Sequence, residues 1–242
     1  MLLPRFSYHP QSNKITQIKT GFLPHGLRFL SIQDNRVFHI DDTAFQSVNS
    51  SLQELYLTRN RLTRGSIENV TFPSSLTSLS LDSNPIGSIP SSAFADLTKL
   101  EKLGLGSTQL TSIDGIYFPS SLTELSLSNN PVTSIPRDAF KNLVLLIDLD
   151  LSNTQLTRLP QALSSLTQLM DLYISGPNLT CTCTESALGT WYDDRSLELA
   201  WLFNYNHDMY GRWRMSLNVT GKCDDTDVVD FLEKLAPQCP QS

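Results

Sequence analysis

Leu76-Thr77-Ser78-Leu79-Ser80-Leu81-Asp82-Ser83-Asn84 is the phrase on which the fold turns. Leucines stand at its first, fourth and sixth positions and an asparagine at its ninth. Ile86, Ile89, Pro90, Phe94 and Leu97 then follow in a fixed order. The arrangement returns at intervals of about 24 residues. Leu27, Leu30, Ile32 and Asn35 carry it, then Leu52, Leu55, Leu57 and Asn60, and later Leu122, Leu125, Leu127 and Asn130. Leu100, Leu103, Leu105 and Leu146, Leu149, Leu151 complete two more units, in which Thr108 and Thr154 stand at the asparagine position. Leu169, Leu172 and Ile174 begin a seventh, with Pro177 at its ninth position.

Around the fourth and sixth positions apolar and polar residues alternate, the period of a strand with one covered face. One such strand is not stable alone. Stacked units turn the separate leucines into one apolar column, which predicts a parallel sheet with the return paths on the outer side. The asparagines have a structural reading. A buried side-chain amide can bond backbone groups left bare where the chain leaves the strand, each costing roughly 1–3 kcal/mol if unpaired. Asn35, Asn60, Asn84 and Asn130 are expected to form such a ladder. A threonine hydroxyl covers one partner, so looser corners are expected at Thr108 and Thr154.

A longer period overlies the short one. Ser75-Leu76-Thr77 returns about 46 residues later as Ser121-Leu122-Thr123, Asn84-Pro85-Ile86 as Asn130-Pro131-Val132, and Thr108-Gln109-Leu110-Thr111 as Thr154-Gln155-Leu156-Thr157. Polar corner residues repeat along with the leucines, the mark of a duplicated pair of units.

These residues resemble a leucine-rich repeat array. The resemblance implies an α/β solenoid: a right-handed horseshoe with a parallel concave β-sheet, an irregular convex side and a disulfide-linked C-terminal cap. The organisation expected is a degenerate or truncated N-terminal repeat or cap over residues 1–26, the array over 27–175 and a cysteine-rich cap over 176–242. Residues 1–12 do not fit the strand half of a unit, whereas Asn13, Ile15, Ile18, Phe22 and Pro24 fit the second half of one. Pro-Ser-Ser-Leu alternating with Ala-Phe-x-x-Leu is similar to the repeats of oomycete surface leucine-rich repeat proteins. Some of those continue into a transmembrane helix and a tyrosine-kinase-like kinase domain, which would lie outside these residues.

All four cysteines, Cys181, Cys183, Cys223 and Cys239, lie at the carboxyl end. Four cysteines allow three pairings. The C-x-C followed by two widely spaced cysteines resembles the C-terminal cap of extracellular leucine-rich repeat proteins, which implies Cys181 with Cys223 and Cys183 with Cys239. Zinc is the rival reading, but its usual C-x2-C spacing is missing. The stretch between Cys183 and Cys223 holds Trp191, Trp201 and Trp213 with Tyr192, Phe203, Tyr205 and Tyr210. Such density reads as cover for the open end of the array, with a sugar-stacking platform as the alternative. Asp224, Asp225 and Asp227 are expected at the start of a helix over Val228–Leu235, where acidic side chains suit the helix dipole.

With 242 residues and a net charge of −6, the chain lacks the dense basic surface that nucleic acid requires. It has no apolar run near the ~18 residues of a membrane span, and its start lacks the apolar core of a secretory signal. The expectation is a fragment of an extracellular or cell-surface protein whose targeting segment lies elsewhere. Asn49, Asn69, Asn178 and Asn218 each begin a sequon and would accept glycans in a secreted chain. About three such matches arise by chance in a sequence this rich in Ser and Thr, so they permit secretion without requiring it.

No catalytic, metal or cofactor constellation emerges. His9, His25, His39 and His207 are scattered, and His25 and His39 read as turn residues. Gly104-Leu105-Gly106 lies on a strand with no helix start after it, so it is not a phosphate loop. Function is expected on the concave face, at the third, fifth and seventh positions of each unit. Phe29 and Tyr56 make an aromatic end there. The centre is small and flat, and Glu124, Asp148, Asp150 and Asp171, with Tyr173, make an acidic end. The expectation is a non-catalytic module for a protein or peptide ligand. It would be the ectodomain of a receptor, with a freely secreted binder and a cytosolic scaffold as alternatives.

Overall fold

A computed structural model describes residues 7–8, 14–176, 179, 218–220, 222–223 and 226–227. Thirteen short strands occur among them: β1 (Ser7–Tyr8), β2 (Gln17–Ile18), β3 (Phe29–Ser31), β4 (His39–Ile40), β5 (Glu54–Tyr56), β6 (Ser78–Ser80), β7 (Lys102–Gly104), β8 (Glu124–Ser126), β9 (Asp148–Leu151), β10 (Asp171–Ile174), β11 (Asn218–Thr220), β12 (Lys222–Cys223) and β13 (Thr226–Asp227). Nine form one sheet in the order β1-β3-β5-β6-β7-β8-β9-β10-β11, each pair parallel. β2 pairs with β4 in parallel across the outer side, and β12 with β13 antiparallel. The chain is a parallel-sheet solenoid of about seven turns.

The column of leucines is the core. Of the residues at the first, fourth and sixth positions of the seven units, from Leu27 to Ile174, none is more than 2% exposed. The second half of each unit closes the column from outside, where Phe45, Phe94 and Phe140 are fully buried and Phe45 stacks on Phe72 with centroids 6.0 Å apart. These return paths carry little regular structure: 3-10 turns at Gln46–Val48 and Gln161–Ser165, and a single α-helical turn, Arg64–Ile67. Truncating one such core leucine to alanine costs about 2–5 kcal/mol, because neighbouring coils cannot collapse into the gap without breaking register.

Residues 1–12, which the leucine register passes over, nonetheless supply a strand. Ser7 and Tyr8 pair with Phe29 and Leu30. Strand pairing is made by the backbone, so a unit without the leucine phrase can still extend the sheet. His39 also departs from expectation: it lies on β4 rather than in a turn, with its Nε2 3.1 Å from Asp41 Oδ1.

The asparagines link successive coils. Asn84 accepts the Leu62 N–H at 3.0 Å and donates to the carbonyls of Leu57 and Leu81 at 3.0 and 2.8 Å, joining its own unit to the one before. Asn60 does the same with the N–H of Val37 and the carbonyls of Ile32 and Leu57. At Thr108 the expected looseness is made good by the neighbour. Asn130 accepts from the backbone N–H of both Thr108 and Leu110, while the Thr108 hydroxyl donates to Leu105 O at 2.6 Å. At Thr154 the hydroxyl covers Leu151 O at 3.0 Å.

In the first six units the corner is turned by the residue just before the ladder position. Asp34, Arg59, Ser83, Ser107, Asn129 and Asn153 all have φ between 53° and 57°. Non-glycine residues enter this left-handed region at a cost of roughly 1–2 kcal/mol. Some pair with each other along the edge: Arg59 with Asp34, and Asn153 Nδ2 with Asn129 Oδ1 at 3.1 Å.

Candidate functional site on the concave sheet

Strand register sorts the open side of the sheet into rows. The third positions run Phe29, Glu54, Ser78, Lys102, Glu124, Asp148, Asp171, and the fifth positions run Ser31, Tyr56, Ser80, Gly104, Ser126, Asp150, Tyr173. Between them the apolar fourth positions point inward. A shallow hollow of about 490 Å³ lies over six of these strands, from Tyr56 on β5 to Tyr173 on β10, with Lys102, Glu124, Asp148 and Asp150 around it.

The aromatic end is a contact, not only a composition. The Phe29 and Tyr56 rings lie 5.4 Å apart and tilted by 42°, and the Tyr56 hydroxyl donates to Glu54 Oε2 at 3.1 Å. At the centre, the Asp82 carboxylate reaches across the next coil. Its Oδ1 accepts the Gly106 N–H at 2.7 Å, and a Cβ added at Gly104 would stand 2.1 Å from its Oδ2. Gly104 therefore leaves room for Asp82, and the flat centre is a seat for that carboxylate.

At the acidic end Glu124, Asp148 and Asp171 stand side by side in one row, with Asp150 and Tyr173 adjacent in the next. Lys102 Nζ bonds Glu124 Oε1 at 2.6 Å, which holds the lysine pKa above its ordinary value. That neutralises one carboxylate. Asp148 is pushed up to about 6, first by burial and then by Asp171, Glu124 and Asp150, against a smaller pull from Lys102. Burial and the same aspartates also raise Tyr173. Among the described residues this row carries more carboxylates than cations, and it is dearest to ionise at Asp148.

The structure brings together Glu124, Asp148, Asp150, Asp171 and Tyr173, which the sequence grouped, and places the pair Phe29–Tyr56 at the opposite end. Lys102 was not singled out in the sequence. The signal was available in the duplication: Lys102 and Asp148 occupy equivalent positions of the two copies, so one copy carries the cation and the other the acid. Among the sequons, Asn49 and Asn69 are exposed on the return paths, with Asn49 Oδ1 accepting the Ser74 N–H at 3.0 Å. Cys181, Cys183, Cys239, Asn178, the three tryptophans, Asp224, Asp225 and the helix expected over Val228–Leu235 lie outside the described residues. Asn218 and Cys223 are placed by backbone alone, on β11 and β12.

A leucine rich repeat family profile matches residues 25–72, 74–118 and 120–179, the greater part of the chain. The chain belongs to the leucine-rich repeat family. Among solved structures, the array is similar to internalin C2 of Listeria monocytogenes, 26% identical with a TM-score of 0.55 over 66% of this chain and 66% of that one. It is also similar to a Leptospira interrogans leucine-rich repeat protein, 28% identical with a TM-score of 0.50 over 67% and 40%. A second Listeria internalin, InlF, shares the fold at 22% identity and a TM-score of 0.53 over 73% and 52%. This leucine-rich repeat chain spans less than two thirds of the length of these three. No curated protein sequence matches it. Among its described residues no helix is long and apolar enough to cross a membrane.

Proposed function

We propose that this leucine-rich repeat chain is a non-catalytic recognition module that holds a protein or peptide ligand against its concave sheet, with basic residues of the ligand over the acidic end. The observation that carries the reading is the in-register row Lys102, Glu124, Asp148, Asp171, the first three of which line one hollow together with Asp150. Asp171, Glu124 and Asp150 all act to disfavour the charge on Asp148, and an incoming lysine or arginine relieves a repulsion already present. Charge of this kind sets orientation and association rate. The aromatic pair Phe29–Tyr56 supplies a packing anchor at the other end. The hollow is shallow and open, which suits an extended segment better than a small molecule.

We propose further that the module is extracellular, the ectodomain of a surface receptor, with a freely secreted binder as the alternative. Support comes from the exposure of Asn49 and Asn69 in their sequons and from the clustering of all four cysteines after the last repeat. Disulfides Cys181–Cys223 and Cys183–Cys239 belong to this proposal.

Two experiments test these readings. Panning the full chain against a random-peptide display library should enrich lysine- and arginine-bearing sequences, and enrichment of acidic ones would refute the assignment of the ligand. Intact mass of the protein from its native source, before and after reduction and glycan removal, should show two disulfides and occupied sequons. Four free thiols without glycan would place it in the cytosol, as a scaffold.

A further inference from the structure

The stretch that leads into the strand of the sixth unit, Val144-Leu145-Leu146-Ile147, interrupts a polar edge of the array. In the third and fifth units the residues around the first leucine are Ser74, Ser75, Thr77 and Ser120, Ser121, Thr123. There Ser75 and Ser121 donate to a leucine carbonyl of the preceding unit, Leu52 O at 2.6 Å and Leu100 O at 2.7 Å. In the sixth unit Val144, Leu145 and Ile147 stand at those positions and are 50%, 51% and 39% exposed, while Leu146 between them is buried. The Leu145 side chain cannot make the serine's bond and shows its apolar surface to water instead. Single exposed apolar residues need no explanation, but three in so short a stretch mark a surface that makes contacts.

This apolar strip borders the acidic row. Ile147 is followed directly by Asp148, and the Ile147 carbonyl accepts the N–H of Met170 at 2.8 Å and of Asp171 at 2.9 Å, so one backbone oxygen ties the rim of two coils to the row. Met170 extends the rim and packs partly against the core. From Asp148 back to Leu145 is at most about 10 Å of extended chain. A partner crossing this edge meets carboxylates first and exposed aliphatic side chains immediately after. Charge then selects among occupants. A second copy seated strip to strip would bring one acidic row beside another on a chain of net charge −6, and an anionic lipid surface meets the same repulsion. A cationic segment that also carries large apolar side chains satisfies both features.

We infer that the recognition surface continues from the concave sheet over the rim of the sixth unit, and that its partner is a protein or peptide segment in which a lysine or arginine stands about three residues from large aliphatic or aromatic side chains. The basic group lies over Asp148 and Asp171, and the apolar ones cover Val144, Leu145 and Ile147. The inference rests on the reading of the acidic end as a seat for basic residues, and it specifies what must stand beside them in the ligand.

The full chain is compared as wild type and as Val144→Ser/Leu145→Ser/Ile147→Thr, which gives the sixth unit the residues of the fifth. These residues already fill the same positions of a folded unit, and an equal Tm verifies that the variant folds. Ile147→Thr alone is the milder variant. A random-peptide display library is panned on wild type. Enriched sequences should carry lysine or arginine with Leu, Ile, Met or Phe about three positions away. Synthetic copies should bind the triple variant about fivefold or more weakly by calorimetry, and Ile147→Thr with a smaller loss. Basic peptides that lack the apolar neighbour and bind wild type and triple variant equally would overturn the inference while leaving the basic-ligand reading intact. Enrichment of sequences without basic residues would remove both. A wild type that dimerises with rising concentration, beside a triple variant that stays monomeric, would also overturn the inference, because a second copy would then occupy the strip.

Discussion

Asp148 and Asp171 stand opposite each other in register on adjacent strands, with Glu124 on the far side of Asp148 in the same row. Three carboxylates on successive strands form a ledge of like charge, and Lys102 Nζ bonds Glu124 at one end of it. Like charges directly opposite each other destabilise a sheet, so this row works against folding.

The pH dependence of stability follows from its sign. The Asp148 carboxyl titrates near 3.8 when unfolded and at about 6 when folded. The folded chain therefore holds this proton more tightly, and stability falls as pH rises between those values. Above about pH 6 the full penalty remains. Asp148→Asn should raise stability at pH 7 by ~1 kcal/mol, after allowing for solvent screening of a half-exposed group, with no gain near pH 4. Urea unfolding of both proteins across that range checks it.

Asn130 bonds the N–H of Thr108 and Leu110 and the carbonyls of Leu105 and Leu127. Asn130→Ala leaves several buried backbone groups bare and should cost ~3 kcal/mol or more. Asn35→Ala, at the end of the ladder where its bonds to Ile15 and Gln33 are only partly buried, should cost ~1 kcal/mol. Chemical denaturation of the two variants should rank them in that order.

Gly104→Ala should cost about 1–2 kcal/mol by driving the Asp82 carboxylate off the Gly106 N–H. In an Asp82→Ala background the same change should cost much less, because the atom it collides with is gone. A double-mutant cycle measures the coupling, and full additivity would separate the two residues.

Ser107 turns its corner with φ at 56° and is exposed. Ser107→Gly should stabilise the protein by up to ~1 kcal/mol, since glycine enters the left-handed region without the penalty of a Cβ. A rise in Tm is the readout.

The array was legible in the sequence because its period is enforced by burial: every leucine of the phrase meets its counterpart one coil away, and a polar residue there would break the column. Glu124, Asp148, Asp150 and Asp171 could be grouped for the same reason, since a strand period assigns faces without coordinates. What the sequence hid were contacts between coils. Nothing in Asp82 or Gly104 alone says that the carboxylate crosses to the Gly106 N–H, and the lysine at 102 gains its meaning from Glu124 on the next strand. Tyr8 was missed because a strand held by backbone pairing leaves no leucine to find.

The measurement that bears most directly on concave-face recognition is the affinity, by calorimetry, of a basic peptide selected against the wild-type chain. Its Kd is compared for wild type, Asp148→Lys/Asp150→Lys, and the exchanged outer-side ion pair Arg64→Glu/Glu68→Arg. The concave reversal should weaken binding about tenfold or more without lowering Tm, and the outer-side exchange should leave it unchanged. Unchanged affinity in the concave variant, or an equal loss in both, would contradict the account.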